Sequence, residues 1–119
     1  MILTEKSIYL FYSHISKADF EMLEKILDEN CVLLFPKSHS IISKTQVIRF
    51  FKILRYQYPA LDFIVEQAII GDGSAAVHWK NVGRKRDGNS YENEGVTILK
   101  ELDNKIIFIS DFFKNTENF

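Results

Sequence analysis

Apolar residues recur along this chain with two periods, and the change falls at Pro59. Before it the spacing is helical. Ile8, Phe11, Tyr12 and Ile15 follow an i, i+3, i+4, i+7 stripe. Thr4 is placed to cap that helix, with Glu5 favourable in its first turn. Ser16 to Asp19 interrupt the run. Asp19 then suits the cap of a second helix, in which Phe20, Leu23 and Leu27 share a stripe beside Ile26, and Asp28-Glu29-Asn30 ends it. Cys31 to Phe35 reads as a short buried strand stopped by Pro36. A polar loop from Pro36 to Ser43 carries His39. Ser43-Lys44-Thr45-Gln46 has the form of a capping box. It opens a third helix whose face is Val47, Phe51, Leu54 and Tyr58, flanked by Ile48 and Phe50. Pro59 closes that helix, because the residue before a proline disfavours the helical region.

Beyond Pro59 the period is two. Asp62 to Ile70, Ala75 to Arg84, Tyr91 to Glu101 and Ile106 to Phe113 read as four long antiparallel strands, with turns at Gly71-Asp72-Gly73-Ser74, Asp87-Gly88 and Asp103-Asn104. Helices first and long hairpins last define an α+β domain. Both later hairpins are expected to use three-residue loops, ending on Gly88 and Asn104, residues that accept a left-handed conformation. Lys85 then faces Asn89, and Glu101 faces Lys105. Counting inward gives three rows across the sheet: Val77-Thr97-Ile109, Trp79-Gly95-Asp111 and Asn81-Asn93-Phe113. These odd-numbered residues form the enclosed face, and Gly95 is expected to leave space above it. The opposite face carries the expected pairs Lys80 with Glu94 and Val82 with Glu92, together with Val96, Ile98 and Phe108.

Composition narrows the class. At 119 residues the chain is one domain, large enough to bury a core without staples. With 46% hydrophobic and 26% charged residues it is not a disordered chain. A net charge of -1 offers no general attraction to nucleic acid or to an anionic membrane. No apolar run reaches the ~20 residues of a membrane span, and Glu5 and Lys6 interrupt the early apolar stretch, so no signal peptide is read and a cytoplasmic location is expected. The single cysteine, Cys31, lies in an apolar run and reads as a small buried hydrophobe. Ten Phe, five Tyr and one Trp are enough either to fill a core or to wall an apolar pocket.

Asp111 is the candidate for chemistry. It is a carboxylate near the end of an apolar strand, on the enclosed face beside Trp79 and Phe113. Partial desolvation there raises its pKa toward the range useful to a general base. The alternative is a structural carboxylate bonded to backbone or to a neighbouring Asn. Proton abstraction beside a carbonyl also needs a donor for the resulting oxyanion, and Asn81, Asn93, Tyr91, Tyr12 and His39 are the candidates. His14, His39 and His78 lack metal-ligand spacing, so no metal or cofactor is expected. Arg84-Lys85-Arg86 reads as a solvated hairpin tip.

Tyr91-Glu92-Asn93-Glu94-Gly95-Val96-Thr97, then Asp103-Asn104-Lys105-Ile106, then Ser110-Asp111-Phe112-Phe113 resemble the closing segment of SnoaL-like proteins in the NTF2-like superfamily. The order of helices and strands resembles that family over nearly the whole chain. The resemblance implies a cone: three N-terminal helices packed on a curved, mixed, mainly antiparallel sheet around a cavity. It implies a small, largely apolar organic ligand, with Asp111 at the position of the family's last-strand Asp. Cyclases, isomerases and non-catalytic modules share the fold, so a ligand-binding or dimerisation module is the competing expectation. A homodimer through the outer sheet face is also implied. There are two departures from the pattern. Asn104 replaces the usual turn glycine. Trp79 and Asn81 replace the Arg and Asp pair of the superfamily's epoxide hydrolases, which disfavours that reaction.

Overall fold

The computed structural model describes residues 3–117. Its elements run α1 (Glu5–Ser16), α2 (Phe20–Ile26), β1 (Leu27–Leu34), β2 (Ile41–Ile42), α3 (Lys44–Gln57), β3 (Ala60–Ile70), β4 (Ser74–Arg84), β5 (Ser90–Leu102) and β6 (Lys105–Phe113). The six strands form one sheet in the order β2-β1-β6-β5-β4-β3. All pairs are antiparallel except β1 with β6, which is parallel. Long antiparallel hairpins can follow one another by tight turns. The parallel pair needs a long connection, and α3 with the β3–β5 meander supplies it.

The helix starts follow from local chemistry. Thr4 and Ser7 form a reciprocal capping box on α1, Asp19 accepts from the Met22 amide, and Ser43 accepts from the Gln46 amide. α2 is shorter than its apolar stripe suggests. It stops at Ile26, and Leu27 already belongs to β1. Asp28, Glu29 and Asn30 therefore sit in an irregular stretch of strand, where the β1–β6 register shifts between Leu27 and Val32. The loop after Pro36 also holds a short strand, Ile41–Ile42, absent from the periodicity reading. The basic hairpin tip is docked: Arg86 Nε donates to the Tyr56 carbonyl at 2.7 Å and its guanidinium lies 4.0 Å from the Tyr56 ring centroid.

The β4–β5 register is the expected one, with Val77 opposite Thr97, Trp79 opposite Gly95 and Asn81 opposite Asn93. The β5–β6 register differs by two residues. Phe113, not Asp111, lies opposite Gly95, and Asp111 lies opposite Thr97. Two local features produce this shift. The turn has two residues rather than three: Asp103 and Asn104 both adopt positive φ, and Leu102 faces Lys105. One extra residue, Ile107, then bulges out of β6 between the Glu101–Ile106 and Lys100–Phe108 pairs. Each feature moves the partner by one. Together they keep the face and change the neighbour.

The core lies between the helices and the inner sheet face. Phe11, Ile15, Leu23, Leu33, Val47, Val77, Leu99 and Ile109 are buried there, as is Cys31, whose thiol is pushed up to about 12 by burial and by nearby Asp28. On the outer face Lys80 pairs with Glu66 rather than with Glu94 opposite it. Glu94 instead binds Lys114 and His78, which hold its carboxyl at about 2.

Candidate functional site

Inner-face residues of β4, β5 and β6 meet side chains of α1 and α3 around one cavity. Its lining includes Tyr12, Phe35, Phe50, Phe63, Trp79, Asn81, Tyr91, Asp111 and Phe113. The structure thus brings six of the eight sequence-derived candidates together. His39 is exposed on its loop and is not in the lining. Asn93 is not in the lining and is held in a structural role: its side-chain amide donates to the Asn115 carbonyl at 2.8 Å and its side-chain carbonyl accepts from the Asn115 amide at 3.1 Å. It also donates to the Tyr91 hydroxyl at 3.1 Å.

The free volume is about 40 Å³. Ligand pockets start near ~300 Å³, so an organic guest enters only if rings move. Gly95 does not provide the expected space. A Cβ placed there would lie 2.4 Å from the Phe112 carbonyl oxygen, 2.7 Å from Phe113 Cβ and 2.8 Å from the Trp79 ring. The glycine is needed so that Trp79 and Phe113 can close over the sheet. Their ring centroids lie 6.2 Å apart, and Phe63 packs edge-on to Trp79 at 5.2 Å.

A polar chain crosses this aromatic interior. Trp79 Nε1 donates to Thr97 Oγ1 at 2.8 Å, and the Thr97 hydroxyl donates to Asp111 Oδ1 at 2.5 Å. Thr97 is 1% exposed, and the two-residue register shift is what sets Asp111 opposite it. Asp111 lines the cavity, and among the described residues its second carboxylate oxygen has no hydrogen-bond donor. Burial pushes the Asp111 carboxyl up to about 6, against the opposing pull of the Thr97 hydroxyl. Tyr12 stands beside both. Burial and the Asp111 charge push its phenol well up, against the opposing pull of the nearby Thr97 hydroxyl, so it remains a donor; its buried hydroxyl lies near Thr97 but is within hydrogen-bond geometry of no group among the described residues. The Asn81 side chain is in the same condition at Oδ1.

Alternation places Thr97 on the enclosed face but gives it no role in the site. The available signal was a hydroxyl two residues beyond Gly95 on a buried face, where an unpaired polar group is costly. The contributions of Phe35, Phe50 and Phe63 had no signal beyond aromatic richness. Among the described residues no cluster of His, Cys, Asp and Glu has the arrangement of a metal site. No helix among them is long and apolar enough to cross a membrane.

The comparisons agree with this architecture. The SnoaL-like domain model matches residues 9–109, and the chain belongs to the SnoaL-like family. The fold is the α+β cone of NTF2-like proteins. A protein designated a SnoaL-like polyketide cyclase from Jannaschia sp. CCS1 superposes with a TM-score of 0.84 at 15% identity, over 92% of this chain and 83% of that one. An NTF2-like protein from Anabaena variabilis gives 0.82 at 13% identity, over 91% and 84%. A Catenulispora acidiphila protein with a ketosteroid isomerase-like fold, crystallised with trimethylamine, gives 0.83 at 8% identity, over 92% and 86%. These identities carry the fold alone. Comparison with curated protein sequences yields no significant match.

Proposed function

We propose that the chain binds a small, largely apolar carbonyl compound in the aromatic cavity and moves a proton on it with Asp111. The observation that carries this reading is a half-engaged carboxylate on a cavity-lining residue: one oxygen is held by Thr97 and the other has no hydrogen-bond donor among the described residues. A base with a pKa of about 6 is mostly ionised at neutral pH yet basic enough to take a proton from carbon beside a carbonyl. The proton passes from that carbon to the free carboxylate oxygen, and the negative charge moves to the carbonyl oxygen. The Tyr12 hydroxyl is the unengaged donor placed near Asp111 to receive that charge. Thr97 acts as a positioning residue that orients the carboxylate.

The small free volume favours a second reading, a non-catalytic module whose cavity opens only for a bound guest. A neighbour of the same fold has been crystallised with a small amine, which supports guest binding without specifying chemistry. The outer sheet face, where Ile64, Val82 and Phe112 are exposed beside Val96, suits a second copy of the chain. Sedimentation of the chain with Phe112→Glu tests that assignment by loss of dimer.

The deciding experiment follows exchange of the α-protons of 2-tetralone with deuterated water by NMR. Wild type should accelerate exchange with half-maximal rate near pH 6, and Asp111→Asn should lose the acceleration while still binding the ketone. Binding without acceleration by either protein would select the module reading.

A further inference from the structure

The cavity has a second polar end, remote from Asp111. Asn81 is 5% exposed, and its side-chain carbonyl oxygen is sealed from solvent with no hydrogen-bond partner. Asn81 neighbours the Tyr91 hydroxyl, which accepts from the Asn93 side-chain amide at 3.1 Å; burial raises the Tyr91 phenol's pKa and the nearby Asn93 and Asn81 amides oppose the rise. Asn81 is one of the residues that line the cavity, so its unmatched carbonyl belongs to the cavity wall. A buried amide carbonyl left unmatched costs on the order of 1–3 kcal/mol. A guest that brings a donor to it recovers that cost, whereas one that brings only an acceptor does not.

The register gives the separation. Asn81 lies in the row of Asn93, Trp79 in the row of Gly95 and Phe113, and Asp111 in the row of Thr97. Two rows correspond to roughly 13 Å of strand, with the strand curvature and the inward side chains shortening the gap. Trp79 stands in the row between, with the Phe63 ring packed edge-on against it. The site therefore has a carboxylate end, a flat aromatic middle and an amide-carbonyl end.

We infer that Asn81 determines specificity for an elongated, flat guest bearing a hydroxyl or N–H donor at the end opposite the carbonyl that meets Asp111. This rests on the cavity being the binding site proposed above, and does not depend on whether Asp111 performs catalysis. The guest class is a fused-ring hydroxy-ketone or its amino counterpart.

The test compares 6-hydroxy-2-tetralone with 6-methoxy-2-tetralone, which have the same carbonyl end and differ in the donor. Binding is measured by equilibrium dialysis and α-proton exchange by NMR. Wild type should bind the hydroxy compound at least about tenfold more tightly. Asn81→Leu, which keeps the branched shape but removes the amide, should bind both compounds alike. Equal binding by wild type, or a preference for the methoxy compound, overturns the inference even if Asn81→Leu does not fold. A hydroxyl preference that survives in Asn81→Leu also overturns it. A preference lost in Asn81→Leu without any proton exchange upholds the role of Asn81 and removes the catalytic reading. Failure of wild type to bind either ketone overturns both.

Discussion

The two hairpins that build the cavity floor reach their registers by different routes. β4–β5 uses the three-residue loop Arg86-Asp87-Gly88, closed by Lys85 with Asn89 at 2.8 Å, and its ladder then runs unbroken. β5–β6 combines the two-residue turn Asp103-Asn104 with a bulge at Ile107. The turn alone would have set Asp111 against an outward-facing position. The bulge restores the inward face and sets the carboxylate beside Thr97. The regular hairpin thus supplies the wall, Trp79 and Asn81, while the irregular one aims the ionisable group. A bulge near a site re-aims a side chain without changing the rest of the strand.

Gly95 joins the two hairpins, and its replacement should have the largest effect. Gly95→Ala puts a methyl group into the Phe112 carbonyl and the Trp79 ring, and backbone atoms cannot yield as a flexible side chain would. The expected loss is ~3 kcal/mol or more, read as a collapse of the urea midpoint. A near-native midpoint would mean that the hairpins can part without penalty.

Asp111→Asn probes what the irregular hairpin tolerates in order to aim a charge. The folded chain holds the Asp111 proton more tightly than the unfolded chain, since its pKa is raised to about 6. Its contribution to stability is therefore complete below the ordinary aspartate range and lost as pH rises through about 6. At pH 7 the ionised carboxylate costs on the order of 3 kcal/mol. The Asn variant should melt several degrees above wild type at pH 7, with the gap closing by pH 4. An equal gap at both pH values would separate the effect from ionisation.

Asn104→Gly sharpens the comparison at the turns and should be the smallest effect. Asn104 sits at φ 64°, where glycine is unstrained, so a gain of about 0.5 kcal/mol is expected from the thermal midpoint. The register should not change, because the Ile107 bulge and the buried alternation both hold it. Loss of the Thr97–Asp111 proximity in NMR spectra of the variant would show that the turn dominates.

The sequence by itself determined the order of helices and meander, the helix caps at Thr4, Asp19 and Ser43, and which strand residues face inward. These are local or period-two properties. Each is written in residues a few positions apart, and alternation reports a face directly. It also singled out Asp111, because a carboxylate in an apolar strand is anomalous wherever its partner lies. Only the tertiary structure decided that partner. A shift of two residues leaves the hydrophobic pattern unchanged, so alternation could not distinguish Gly95 from Thr97 as the residue opposite Asp111. The same holds for the space above Gly95, which two rings from separate strands fill, and for His39, whose loop carries it away from the cavity lining. The engagement of Asn93 with Asn115, and the unmatched carbonyl of Asn81 two rows from the carboxylate, likewise arise where strands and helices meet in three dimensions.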